Sequence, residues 1–137
     1  MSRQATENLI KAYIDAANIP DNAAIVAMMD EDIVFETGQG KAQIGTENLR
    51  LVLASKAAHL KEQLADAIIM SSADGTFGAA EFTWKGVNSA PVEGVAHAVG
   101  ARFSMRAVIT FEVEDGKFTR VSSHRDMEEW LRQISED

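Results

Sequence analysis

Three consecutive polar residues, His124, Arg125 and Asp126, follow the last predicted strand and include side chains suited to proton transfer. An imidazole changes protonation between pH 5 and 8, so His124 is by type the best proton-transfer candidate. Asp126 either orients His124, pairs with Arg125 or caps the following helix. We therefore predict His124 as a catalytic residue and Arg125 and Asp126 as substrate-binding residues.

A second candidate site lies in the run from Ile33 to Thr37, whose β-branched and aromatic residues predict a strand. Successive side chains of a strand point to opposite faces of the sheet. If Ile33 and Phe35 point inward, Thr37 joins them and Glu36 points outward. If Val34 points inward, Glu36 becomes a carboxylate in apolar surroundings, where it would serve as a general base. The sequence leaves both alternatives open.

Residue types exclude several other chemistries. The chain has no Cys, which excludes a thiolate zinc site and a cysteine nucleophile. No two of His59, His97 and His124 stand at metal-ligand spacing. The loop Gly38–Lys41 lacks the glycine spacing of a nucleotide-binding loop. We therefore expect neither a metal nor an organic cofactor.

Apolar residues at three- and four-residue spacing predict helices in the first part of the chain. Thr6, Asp21 or Asn22, and Thr46 are the expected N-caps of the first, second and third helix. The first helix should end just before Pro20, which biases its neighbour away from helix. The end of the third helix is open at this stage, because its apolar pattern extends through Leu64 while a strand must begin by about Asp66.

Long strands are expected in the second part of the chain, with Asp-Gly turns between them. The predicted strands are Phe77–Val87, Arg102–Val113 and Phe118–His124. Their aromatic residues Trp84 and Phe103 are expected to line a pocket or its floor. Helices followed by strands are typical of an α+β fold, with a curved antiparallel sheet packed on N-terminal helices and a short C-terminal helix.

Composition sets the remaining limits. The length of 137 residues indicates a single domain spanning residues 1–137. The net charge of −8 opposes nucleic-acid binding. The N-terminus lacks the apolar core of a signal peptide, and no apolar run reaches the roughly 18 residues of a membrane helix. We expect a cytoplasmic protein without nucleic-acid or membrane partners.

Short motifs recur in a fixed order along nearly the whole chain. In order they are Tyr13-Ile14 with Asp21–Val26, Asp30–Phe35, Ile44–Leu49, and Asp115–Lys117 with Asp126 and Leu131–Ile134. Together they resemble the nuclear transport factor two-like superfamily and, within it, the SnoaL-like polyketide cyclases and the ketosteroid isomerases. The resemblance implies a cone-shaped fold with a deep apolar pocket for a small molecule, and a homodimer.

The resemblance also implies roles for individual residues. Tyr13 matches the isomerase tyrosine that donates a hydrogen bond to a developing enolate. Counting back from Gly45 places Glu36 on the isomerase general base, whereas counting forward from Tyr13 places Thr37 there. Glu36 and Tyr13 are therefore further predicted catalytic residues, and Thr37 is a predicted substrate-binding residue.

Two functions follow from the resemblance. The first is a cofactor-independent isomerase, cyclase or hydratase that acts on a small apolar molecule by acid and base catalysis. The alternative is a ligand-binding or dimeric scaffold protein without catalysis. Ile109 favours the alternative because the isomerases carry a second acid there, and so does the run Arg120–Ser123, where cyclases carry an acid.

Overall fold

The structure, a computed structural model, describes residues 2–37 and 41–136. The glycine-containing loop predicted at Gly38–Lys41 lies mostly outside the described residues. The helices are α1 (Arg3–Asn18), α2 (Asn22–Ala27), α3 (Thr46–His59) and α4 (Met127–Ser135). The strands are β1 (Met29–Glu36), β2 (Gln43–Ile44), β3 (Leu60–Ser71), β4 (Phe77–Asn88), β5 (Arg102–Glu114) and β6 (Lys117–His124).

The strands form one curved sheet in the order β2-β1-β6-β5-β4-β3. All neighbouring pairs are antiparallel except β1 and β6, which run parallel with Phe35 beside Val121. The α+β class, the N-terminal helices and the C-terminal helix are confirmed, and the sheet is mixed rather than wholly antiparallel. A parallel pair needs a long connection, and here α3 and three long strands lie between its two members.

The N-terminus of α1 differs from the sequence-based expectation. Ser2 is the N-cap, and its hydroxyl accepts a hydrogen bond from the Ala5 amide at 3.0 Å. Thr6 lies inside the helix and is fully buried, and its hydroxyl donates to the Gly75 carbonyl in the turn between β3 and β4 at 2.5 Å. The prediction of Thr6 as a cap was wrong because its hydroxyl joins α1 to the sheet. Of the two predicted caps of α2, Asp21 or Asn22, the structure shows Asp21, whose carboxylate accepts from the Ala24 amide at 3.0 Å.

The boundary between α3 and β3 settles a question that the sequence left open. The helix ends at His59 and the strand begins at once with Leu60, well before Asp66. Leu64 does not extend the helix, since it lies in β3 opposite Trp84 of β4. This abrupt change of direction places the last turn of α3 beside the first residues of β3.

The inner face of the sheet packs against α1 and carries the core. In β5, alternate residues such as Phe103, Ala107 and Phe111 are buried, as the sequence pattern predicts. Tyr13 of α1 meets this face edge-on, with ring centroids 5.3 Å from Phe111 and 5.9 Å from Phe118. The helix thereby holds the tyrosine ring in a fixed position against the sheet.

Gly86 lets β3 and β4 approach each other closely. A Cβ atom at Gly86 would lie 2.0 Å from the Lys61 carbonyl oxygen and 2.9 Å from the Glu62 Cα. No side chain fits there without moving the β3 backbone, so glycine is required for close backbone approach. The contact fixes the start of β3, which carries Glu62.

Candidate functional site

A cavity of about 480 Å³ lies between α3, the inner face of the sheet and α4. Its walls are mainly apolar, and its exposed edge includes Ser55, His59 and Pro91. Polar side chains gather at one end, where Tyr13 and Arg125 line the cavity. An apolar cavity with a few convergent polar groups is the usual form of a small-molecule site.

Tyr13 brings a neutral hydroxyl to this end of the cavity. Its side chain is only 8% exposed, and no residue among 2–37 and 41–136 forms a hydrogen bond with its hydroxyl. Burial raises the pKa of Tyr13 above its ordinary value, although the positive charges of Lys56 and Arg125 oppose this and Glu62 adds to it. The phenol therefore stays protonated at neutral pH and is available as a hydrogen-bond donor.

We expect the phenol of Tyr13 to ionise with a pKa above 10 in the folded protein. Because its pKa is raised, the phenol favours the folded state below pH 10, and this contribution is lost as the pH rises further. Tyr13 is the only tyrosine of the chain, so the rise in absorbance at 295 nm with increasing pH reports its ionisation. The unfolded protein in guanidinium chloride is the control, and a native midpoint at or below the unfolded one would contradict the burial of the phenol.

An ion pair lies behind the tyrosine. The Lys56 Nζ is 2.9 Å from the Glu62 Oε1, and the Trp84 indole donates to the Glu62 Oε2 at 2.6 Å. Burial by itself would raise the pKa of Glu62, but the charge of Lys56 and the hydrogen bonds from Lys56 and Trp84 hold it below its usual value. Glu62 is therefore a carboxylate at neutral pH and neutralises Lys56.

Arg125 adds a second cation to the same end. Its guanidinium carbon lies 4.3 Å from the centroid of the Trp84 ring, a cation–π contact. No carboxylate of the described ranges 2–37 and 41–136 lies within 4.0 Å of it, and its Nε is buried without a hydrogen-bond partner. Burial lowers the pKa of Arg125, and the negative charge of Glu62 opposes this, so the group remains a cation.

A SnoaL-like domain profile matches residues 10–121, most of the chain. This chain belongs to the SnoaL-like family. Among solved structures it is similar to a candidate polyketide cyclase from Xanthomonas campestris, with 31% identity and a TM-score of 0.94 over 98% of this chain and 100% of that one. A second candidate polyketide cyclase, from Pseudomonas putida, has 32% identity and a TM-score of 0.89, covering 97% and 98% of the two chains.

More distant structures share the fold alone. An LEH-like epoxide hydrolase of M. tuberculosis has 16% identity and a TM-score of 0.75, covering 96% of this SnoaL-like chain and 86% of its own. A search of curated proteins found no significant match. The comparisons therefore establish the family and the fold of this chain.

The side chains of the neighbouring residues Glu36 and Thr37 point to different faces of the sheet. Ile33 and Phe35 are buried, so the first of the two strand alternatives holds and Thr37 lines the cavity of the SnoaL-like fold. Glu36 borders the cavity, but its carboxylate accepts a hydrogen bond from Arg120, which also lies 3.6 Å from Glu112. An ion pair on the outer face of the sheet thus occupies the carboxylate that we predicted as the base.

The polar residues after β6 are divided between different places. His124 is exposed, with its Nε2 3.3 Å from the Thr110 hydroxyl on the outer face of the sheet. Asp126 caps α4, where its carboxylate accepts from the Glu129 amide at 3.0 Å. Of the three consecutive residues, only Arg125 lines the cavity of about 480 Å³ in this SnoaL-like protein.

The two predicted aromatic residues occupy successive layers. Trp84 lines the cavity, whereas Phe103 is buried with its centroid 4.5 Å from the Trp84 ring and 6.4 Å from the Trp130 ring. Phe103 therefore supports the cavity wall from behind. Trp130 of α4 lines the cavity itself, and its indole Nε1 is buried without a partner in the described residues.

Sequence reasoning missed Lys56, His59 and Glu62. The position of Lys56 beside Glu62 depends on the end of α3, which the sequence pattern leaves open. His59 lies in the last turn of α3, with its Nδ1 2.6 Å from the Ser55 carbonyl oxygen. A carbonyl only accepts hydrogen bonds, so Nδ1 carries a proton, and Nε2 is the nitrogen that accepts when the ring carries a single proton.

Within residues 2–37 and 41–136 of the SnoaL-like chain, no group of three or more His, Asp or Glu side chains is arranged to hold a metal ion. No helix there is both long enough and apolar enough to cross a membrane.

Proposed function

We propose that the protein binds a small, largely apolar carbonyl compound and transfers a proton next to the carbonyl, as a cofactor-independent isomerase, cyclase or hydratase. The observation that carries the proposal is the Tyr13 hydroxyl, a neutral donor without a described partner at the polar end of an apolar cavity of about 480 Å³. An apolar cavity strengthens such a hydrogen bond because water does not compete for it.

Tyr13 would act on the substrate oxygen. When a proton leaves the carbon beside a carbonyl, negative charge develops on the oxygen, and a donor placed there stabilises the enolate. The nearby cations Lys56 and Arg125 favour the same charge, as their effect on the Tyr13 pKa indicates. The polar end of the cavity therefore suits an enolate better than a neutral ketone, which is the condition for catalysis.

His59 is the proton acceptor that the geometry favours. It lines the cavity, and its Nδ1–H is engaged with the Ser55 carbonyl, which leaves Nε2 as the basic atom. Glu36 also borders the cavity, and its role as the base stays a prediction from the sequence. Its pairing with Arg120 occupies the carboxylate, so we place His59 ahead of it.

The names of related structures support this class of chemistry. The two relatives at 31% and 32% identity are candidate polyketide cyclases, and ring closure of a polyketide begins with loss of a proton beside a carbonyl. A cyclase of an apolar, ketone-rich substrate is therefore the member of the proposed class that the relatives favour.

Hydrogen exchange tests the proposal without knowledge of the natural substrate. In D₂O, the protein should accelerate replacement of the hydrogen beside the carbonyl in at least one member of a panel of aromatic and polyketide-like ketones, followed by proton NMR. Heat-inactivated protein is the control. Ketones that bind in the cavity but exchange no faster than in buffer would contradict the proposal.

A binding protein without catalysis is the second candidate. It is favoured by the placement of the Glu36 carboxylate in an ion pair and of His124 on the outer face, since these were two of the three predicted catalytic groups. Binding of ketones without exchange is the result expected for this alternative.

We expect a homodimer formed through the outer face of the sheet. Exposed apolar side chains, Ile68, Met70 and Phe77, lie on that face beside the ion pair of Arg106 and Glu81. Exposed apolar patches rimmed by charge are typical of interfaces. Analytical ultracentrifugation at micromolar protein should show twice the 14.9 kDa chain mass, and a species of that single-chain mass alone would refute the dimer.

A further inference from the structure

The polar end of the cavity carries one more positive charge than negative charge. Lys56 is neutralised by Glu62 at 2.9 Å, whereas Arg125 has no carboxylate within 4.0 Å among residues 2–37 and 41–136. Tyr13, the remaining titratable group at this end, is neutral because burial raises its pKa. Glu36 is not a counter-charge for Arg125, since its carboxylate pairs with Arg120 on the outer face of the sheet.

An unpaired guanidinium in such a place is unfavourable for the protein alone. A charge removed from water is costly unless it is paired and hydrogen-bonded. The cation–π contact with Trp84 at 4.3 Å offsets only part of that cost, and the Arg125 Nε remains without a partner. The lowered pKa of Arg125, caused first by its burial, reflects the same cost.

The surroundings of Arg125 indicate what would balance it. The guanidinium lines a mainly apolar cavity together with Trp84 and Trp130, and the neutral Tyr13 hydroxyl lies at the same end. The Trp130 indole is a second buried donor without a described acceptor. An oxyanion of the ligand would satisfy all of these groups: it accepts hydrogen bonds from the Tyr13 and Trp130 donors and balances the charge of Arg125.

We infer that the ligand of this cavity is an apolar carboxylic acid whose carboxylate pairs with Arg125. The inference rests on the proposed function and narrows its substrate class from carbonyl compounds in general to oxo acids. The carboxylate binds at Arg125, and the apolar body lies along the walls formed by α3 and α4. A ketone of the same molecule reaches the Tyr13 hydroxyl.

Calorimetric titration with a matched pair of probes tests the inference. The probes are 2-naphthoate and 2-naphthamide, which share one apolar body and differ in charge. At neutral pH and fixed ionic strength the carboxylate should bind about 10-fold more tightly than the amide, because a charge-assisted pair is roughly twice as strong as a neutral hydrogen bond. Arg125→Gln should abolish this preference and leave binding of the amide unchanged, which also reports that the variant cavity is folded.

Arg106→Gln is the matched control, since Arg106 pairs with Glu81 on the outer face and is remote from the cavity. It should keep the full preference for the carboxylate. Equal affinities in the wild type, or a preference that survives in Arg125→Gln, would overturn the inference and leave the proposed function standing. Failure of both probes to bind at millimolar concentration would overturn the inference and also the cavity-based proposal on which it rests.

Discussion

Replacement of Tyr13 by phenylalanine should lower turnover by about 10²–10³-fold on any ketone that the wild type converts, the usual cost of one lost oxyanion donor. The hydroxyl has no hydrogen-bond partner among the described residues, so its removal breaks no contact within residues 2–37 and 41–136. The ring keeps its edge-on contacts with Phe111 and Phe118, and the substitution keeps the shape of the core. Steady-state rates with the substrate found by hydrogen exchange provide the measurement.

The melting temperature of Tyr13→Phe is the control for this comparison. It should stay within a few degrees of the wild type, because a shape-conserving change at a partnerless hydroxyl costs little stability. A fall in kcat with an unchanged affinity for substrate would show that the hydroxyl stabilises the transition state rather than the bound substrate. Full activity in Tyr13→Phe would remove the tyrosine from the mechanism.

The second large effect concerns the proton acceptor. His59→Gln should lower the rate by about 10²–10⁴-fold, the range for loss of a general base. The side chain is exposed in the last turn of α3, so the substitution should leave folding intact. The same rates and hydrogen-exchange assay measure the effect.

Two matched variants separate His59 from the groups predicted earlier. Glu36→Gln and His124→Gln each remove a titratable group that lies in contacts on the outer face, with Arg120 and Thr110 respectively. Both should keep activity within about twofold to threefold of the wild type. If Glu36→Gln loses activity and His59→Gln retains it, Glu36 is the base, and the ion pair with Arg120 must open during the reaction.

Much of the fold could be predicted because local patterns and tertiary packing agree. The alternation in β5 and the Asp-Gly turn at Asp115 are local signals, and the strands at Phe77–Asn88 and Lys117–His124 appear within one or two residues of their predicted bounds. Local patterns contain no information on the neighbours of β1. The parallel pairing of β1 with β6 was therefore not predicted.

Less of the site could be predicted, because its polar groups meet across elements that are distant in sequence. Arg125 and Thr37 were predicted as substrate-binding residues, and both line the cavity, although their binding role stays a prediction. The pairing of Lys56 with Glu62 depends on an abrupt helix end, where apolar residues fit both a longer helix and a strand. The ion pair of Glu36 with Arg120 joins β1 to β6. It could not be predicted, because the pairing of those two strands was not predicted.

A crystal structure with 2-naphthol bound tests the central claim most directly, since a phenol resembles an enolate in shape and in the position of its oxygen. The account predicts the aromatic body along the apolar walls and the naphthol oxygen within about 3 Å of the Tyr13 Oη. An oxygen directed instead to the exposed edge at Ser55 and Pro91, with no polar atom near the Tyr13 hydroxyl, would contradict the account.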